Sequence, residues 1–205
     1  MLGNMDKLTI VRVGNVISYS TLHQIGDRLL SAFGGVIRNV QLSHHESPVT
    51  DSIDAFLLTM ILHTEFKGHT LGITDADLKT KDADEFYNAI IGGKNPRNDV
   101  AVVSTRKLSP ERIESDSDYQ LLVDRTLKVS LHEVGHNLGL TDHGTYTFAA
   151  DGALCPMSKG EFNRFGYQGY VRVVVDGRGD RFCDGCHRFL QTMHGRAAQL
   201  ATQFD

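Results

Sequence analysis

The stretch SLHEVGHNLGLTDHG, residues 130–144, carries two histidines four apart, a glutamate beside the first and a glycine three past the second. On an α-helix, residues four apart lie one turn apart on one face, so His132 and His136 can aim their imidazoles at one ion. Glu133 projects beside them, able to reach a water on that ion without being a ligand. Zinc lowers the pKa of such a water to about 7, and a carboxylate in this place takes its proton during attack on a carbonyl. Ten histidines and seven glutamates strewn at random through 205 residues would give this H-E-x-x-H pattern roughly 0.02 times per chain, so chance explains it poorly.

A helix carrying two ligands cannot supply a third from its next turn and still leave the metal an open position. The chain must break, and Gly139 can take the left-handed conformation a sharp break requires. The residue that returns to the metal then lies near position 142. Asp142 stands there, and carboxylate is a competent zinc ligand at about 2.0–2.2 Å. His143 follows one residue late. Either Asp142 or His143 can complete the set from spacing alone.

The rest of the chain bounds the possibilities. Its 205 residues suffice for one domain, divisible into two subdomains around a cleft. With 40% hydrophobic and 22% charged residues and a net charge of −4, the composition is that of a globular protein and argues against a basic nucleic-acid surface. Apolar runs fall short of a membrane span, and the N-terminal MLGNMDKLTIVRVG lacks a signal peptide's apolar region, so a cytoplasmic location is expected. Cys155, Cys183 and Cys186 are an odd set with a C-x-x-C pair. In a reducing compartment that pattern suggests metal rather than disulfide.

Patterning predicts strands over 7–14 and 36–43, a helix over 18–33, and a second helix over 51–66 capped by Asp51 or Thr50. Further strands are expected near 69–75 and 99–106. A third helix is expected to start near Ser117, with Ser117 and Gln120 at capping-box spacing, and to stop at Gly139. A last helix is expected over 184–200. The order β-α-β-α-β-β implies a mixed α/β sheet with helices packed on it. Between Gly139 and that last helix lie some forty glycine-dense residues, which need something other than a core, such as metal, to order them.

The extended pattern resembles the metzincins, and among them the archaemetzincins, whose zinc helix continues H-C-x4-C-x-M and then C-x-x-C. Cys155 and Met157 match C-x-M, and Cys183 and Cys186 match C-x-x-C. Asp142 stands for the usual third histidine, His143 stands for the first cysteine, and the two loops are longer, at eleven and twenty-five residues. The resemblance implies a single metzincin-like α+β domain with a mixed twisted sheet. Residues 1–140 would form a subdomain bearing the active-site helix, and 141–205 a small, irregular, zinc-tied subdomain ending in a helix. It implies a zinc metallopeptidase with two zinc ions and a peptide or protein substrate. Glu133 would be the general base, His132, His136 and Asp142 the catalytic ligands, and His143, Cys155, Cys183 and Cys186 a structural Cys3His set. Met157 would be the apolar floor of a Met-turn. Should His143 instead serve the catalytic zinc, the second site would need Asp184 or His187 as its fourth ligand. A catalytically silent zinc-stabilised protein, its cleft closed by loop 144–154, and a zinc hydrolase of non-peptide substrates use the same residues.

The clan's architecture also implies an edge strand above the zinc, for which Val100–Ser104 is the candidate, a buried strand being the alternative. His44 and His45 before Glu46 are expected to be exposed, and His63, His69 and His194 to lie on the surface or on a helix face. The acidic run 74–86 lacks the spacing of a calcium loop and is expected to be a solvated turn.

Two neutral imidazoles and one carboxylate leave a zinc site at +1, where three imidazoles leave +2, and a less positive metal acidifies water less. Asp142→His is therefore expected to shift the acidic limb of the pH–rate profile to lower pH. A profile that does not move would contradict this charge argument.

Overall fold

The computed structural model describes residues 6–14, 17–47, 51–80, 89–95, 97–159, 166 and 168–201. The chain runs β1 (Lys7–Val13), α1 (Tyr19–Ala32), β2 (Asn39–His45), β3 (Ser52–Asp54), α2 (Ala55–Glu65), β4 (His69–Thr74), β5 (Asp77–Lys79), β6 (Ala89–Ile90), β7 (Gly92–Lys94), β8 (Val100–Ser104) and α3 (Asp116–Asn137). A π-helical turn, Val171–Val175, and α4, Asp184–Ala201, complete it.

The main sheet has the order β2-β1-β4-β8-β7. Its first four strands are parallel, and β7 joins antiparallel. Alternation along each strand divides the core into two layers. Leu8, Ile10, Leu71, Ile73, Ala101 and Val103 face α1 and α3, while Val11, Val13, Val100 and Val102 face Leu58 and Leu62 of α2. β4 and β8 are covered on both faces and buried at every position, their polar His69, Thr70, Thr74 and Ser104 included. The mixed sheet with helices on it is the architecture the patterning implied.

Two helix starts differ from expectation. The second helix begins later, with Asp54 rather than Asp51 as its cap, accepting from Leu57 N at 3.0 Å. Residues 52–54 are drawn into strand β3, which pairs with β5 and leaves no helical backbone there. Thr50, the other candidate, lies outside the described residues. The third helix is capped by Ser115 and Asp118, which make the reciprocal capping box, not by Ser117 and Gln120. Both pairs share the spacing, and the upstream one is used because the helix already begins at Asp116.

Val100–Ser104 is not an edge. It is hydrogen-bonded to β4 on one side and β7 on the other, and buried throughout. The edge belongs to β7, whose Gly-Gly-Lys sequence carries no strand signal of its own. His69 is buried in β4 rather than on the surface, and His45 pairs with Glu65 at 2.8 Å. His44 and His63 are exposed. The side chain of His194 and residues 81–86 of the acidic run lie outside what is described. No helix among the described residues is long and apolar enough to cross a membrane.

An ion pair between a buried arginine and a partly buried aspartate ties the glycine-rich region to α3. Arg125 donates through Nε and Nη2 to both carboxylate oxygens of Asp176, at 2.7 and 2.8 Å, and through Nη1 to Leu108 O at 3.0 Å. Removing one partner of such a pair strands the other charge. Arg125→Ala is expected to cost on the order of 3 kcal/mol, or about 6–12 °C in Tm for a domain of this size. Thermal unfolding measures it, and a loss below one degree would mean that Asp176 is solvated without its partner.

Candidate metal centres

The C-terminal half of α3 is buried almost all round, and its histidines are oriented by backbone carbonyls. His132 Nδ1 lies 2.9 Å from Pro156 O, and His136 Nδ1 lies 2.9 Å from Leu140 O. A nitrogen facing a carbonyl carries the proton, so each ring turns an unprotonated Nε2 the other way. Gly139, at φ +90°, makes the break that brings Leu140 back under His136. At the same helix end Lys94 Nζ donates to His136 O at 2.7 Å.

The two Nε2 atoms lie 3.2 Å apart, and Asp142 Oδ1 sits 3.4 Å from one and 3.3 Å from the other. Three lone-pair atoms thus face one another with no proton to share, and Asp142 Oδ1 is buried without a hydrogen bond. Ligands bound at about 2.0–2.1 Å in a tetrahedron are separated by about 3.3–3.4 Å. The triangle therefore has the size a zinc ion requires.

His143 goes the other way. Its backbone N–H donates to Met157 O at 2.9 Å, and its Nε2 lies 3.4 Å from Cys183 Sγ and 3.3 Å from Cys186 Sγ. Cys155 Sγ is 4.0 Å from Cys186 Sγ. All four ligand atoms fall within 4.8 Å of one another, against about 3.8 Å for sulfurs on one zinc at 2.3 Å. The contact between Cys155 and Cys186 pulls one thiol of the pair, Cys155, down and pushes Cys186 up. All three cysteines are free. Neighbouring residues in extended chain point to opposite sides, so one peptide sends Asp142 to the imidazoles and His143 to the cysteines.

Glu133 is buried beside His132, and burial pushes its carboxyl up to about 8 against the pull of the Arg178 guanidinium. Burial also holds the His132 imidazole well below the usual histidine range. Arg178 is itself buried, donating to Ser158 O at 3.1 and 2.7 Å and to Tyr170 OH at 3.2 Å. Met157 is fully buried on α3. A Cβ on Gly135 would meet its sulfur at 2.7 Å, so the glycine between the histidines makes room for the methionine. The long loop folds on itself: Ala149 N donates to Ala153 O and Cys155 N to Thr147 O, and Thr147 is tied to Ser158 Oγ.

Of the expected site residues, the structure brings His132, His136 and Asp142 together in one group and His143, Cys155, Cys183 and Cys186 in another, with Glu133 beside the first. The spacing did not point to Gly92, Lys159, Tyr170 or Arg178, whose approach depends on contacts remote in sequence. The glycine pair 92–93 was the one local signal.

No family model matches the chain. An archaemetzincin of Pyrococcus furiosus is 32% identical over 120 residues, 57% of this chain and 56% of the relative. The chain thus matches about half the length of that curated relative. The crystal structure of archaemetzincin from Methanopyrus kandleri superposes with a TM-score of 0.66 at 25% identity, over 94% of this chain and 97% of that one. A zinc-dependent peptidase from Methanocorpusculum labreanum shares the fold, with a TM-score of 0.61 at 18% identity over 89% and 99% of the two chains. The resemblance to the archaemetzincins carried by the motif therefore holds in sequence relatives and in fold.

Gly92 on edge strand β7 lies against Glu133: a Cβ there would meet Oε1 at 2.8 Å and Cγ at 2.9 Å. Gly92→Ala is expected to turn the Glu133 carboxylate away and to cost about 1–3 kcal/mol by overpacking. A crystal structure of the variant with Glu133 unmoved would contradict this.

Proposed function

We propose that this archaemetzincin-like chain is a zinc-dependent peptidase: one domain, 1–205, with an N-terminal subdomain (1–140) carrying the active-site helix and a C-terminal one (141–205) tied by a second zinc. The observation that carries the reading is the triangle of His132 Nε2, His136 Nε2 and Asp142 Oδ1. It holds three acceptors at tetrahedral spacing without a donor, next to a buried glutamate. Support for the second site comes from the gathering of His143, Cys155, Cys183 and Cys186, a closed set of the kind that binds zinc structurally.

His132, His136 and Asp142 would hold the zinc, which would supply a Lewis acid and the acidity that lets a water act as nucleophile near neutral pH. Glu133 takes the proton released in attack on the peptide carbonyl and passes it to the departing amine nitrogen. Its buried, desolvated carboxylate favours holding that proton. The outer edge of β7, unpaired among the described residues, offers backbone donors and acceptors to an extended peptide, and because Gly92 lies on Glu133, a chain added there passes over the base. Met157, packed against Gly135, fills the floor under the histidines as a Met-turn would.

Elemental analysis of wild type and variants tests the assignment. Two zincs are expected in wild type, and Asp142→Ala should lose the chelator-accessible one while staying folded. His143→Ala should lose the other and unfold early. Glu133→Gln should keep both and lose peptide hydrolysis by about 10²–10⁴-fold. Loss of the chelator-accessible zinc from His143→Ala would shift the ligand set by one residue and overturn the reading.

A further inference from the structure

Aspartate as third ligand brings a difficulty that histidine does not. A histidine gives a metal one nitrogen, whereas a carboxylate has two oxygens and can chelate, occupying the position an open site must keep free. Here the two oxygens of Asp142 are held apart. Oδ1 is centred on the imidazoles, 3.4 Å from His132 Nε2 and 3.3 Å from His136 Nε2. Oδ2 faces away from them to Lys159, with Nζ at 3.3 Å. Lys159 stands two residues past Met157, on the strand-like segment where His143 pairs with Ser158. The turn that closes the floor of the site therefore also delivers the ammonium.

We propose that Lys159 is the positioning residue for the third ligand: by engaging Asp142 Oδ2 it keeps the carboxylate monodentate and the fourth metal position open. The inference rests on the ligand assignment proposed above. The ammonium also returns beside the metal the unit of positive charge that the carboxylate removes, so the pair Asp142–Lys159 together stands in for a neutral histidine. The lysine side chain is 66% exposed, so the engagement is one that salt weakens.

Coordination number is the property to measure, because a merely structural lysine would not change it. In the full-length protein, the chelator-accessible metal is removed, the tightly held zinc is left in place, and cobalt(II) is added. Four-coordinate cobalt absorbs strongly in the visible, and five-coordinate cobalt weakly. Wild type and Lys159→Arg are expected to show the strong band. In Lys159→Met the band should fall at least twofold and move to shorter wavelength as Oδ2 joins the metal, and high salt should drive wild type partway toward that spectrum. If Asp142→Ala changes the cobalt spectrum while Lys159→Met retains that of wild type, Lys159 does not position the carboxylate and the proposal is overturned alone. If Asp142→Ala itself leaves the spectrum unchanged, Asp142 is not a ligand, and the proposed site falls together with the role of Lys159.

Discussion

Three acceptor atoms held 3.2–3.4 Å apart with no donor among them repel one another, and the fold must oppose that repulsion. Each is pinned from behind: His132 by Pro156 O, His136 by Leu140 O, Asp142 by Lys159 Nζ. Two of these restraints come from the turn at 156–159 and one from the break after Gly139. A protein of ordinary stability can hold such a triangle only where surrounding packing over-determines it. Here that packing is the buried half of α3, Met157 seated against Gly135, and the Arg125–Asp176 pair that clamps the following region onto the helix.

The parts of this arrangement that were legible in the sequence are those set by local geometry. His132, Glu133 and His136 follow from helical period, and the return at 142 follows from one glycine. The split between Asp142 and His143 was open by spacing and depends on the backbone of an extended segment, where alternation sends adjacent side chains apart. The outer edge at β7 was illegible because strand propensity says nothing about Gly-Gly-Lys. Those residues are a strand only because β8 offers them a ladder. Val100–Ser104 is a candidate edge by its order in the chain, yet its unbroken apolar run Val100–Val103 is what a strand covered on both faces requires. Lys159, Arg178 and Gly92 reach the site through folding of distant segments, and of the three only Gly92, in its glycine pair, carries a local mark.

The single peptide between Asp142 and His143 makes the two proposed metal sites mechanically one. His143 is held by its N–H on Met157 O and by its approach to Cys183 and Cys186. Rotation of that backbone to release His143 would also swing Asp142 Oδ1 off the imidazoles. A closed Cys3His set contributes folding energy directly, so in this assignment the second zinc anchors the catalytic ligand through one rigid peptide plane. The long loop 144–154 leaves after His143 and returns at Cys155, so in this assignment both of its ends are fixed by ligands. Between them it bonds to itself through the Ala149–Ala153 and Cys155–Thr147 pairs, and to the site region through Thr147 on Ser158 and Leu154 on Gly177 and Gly179.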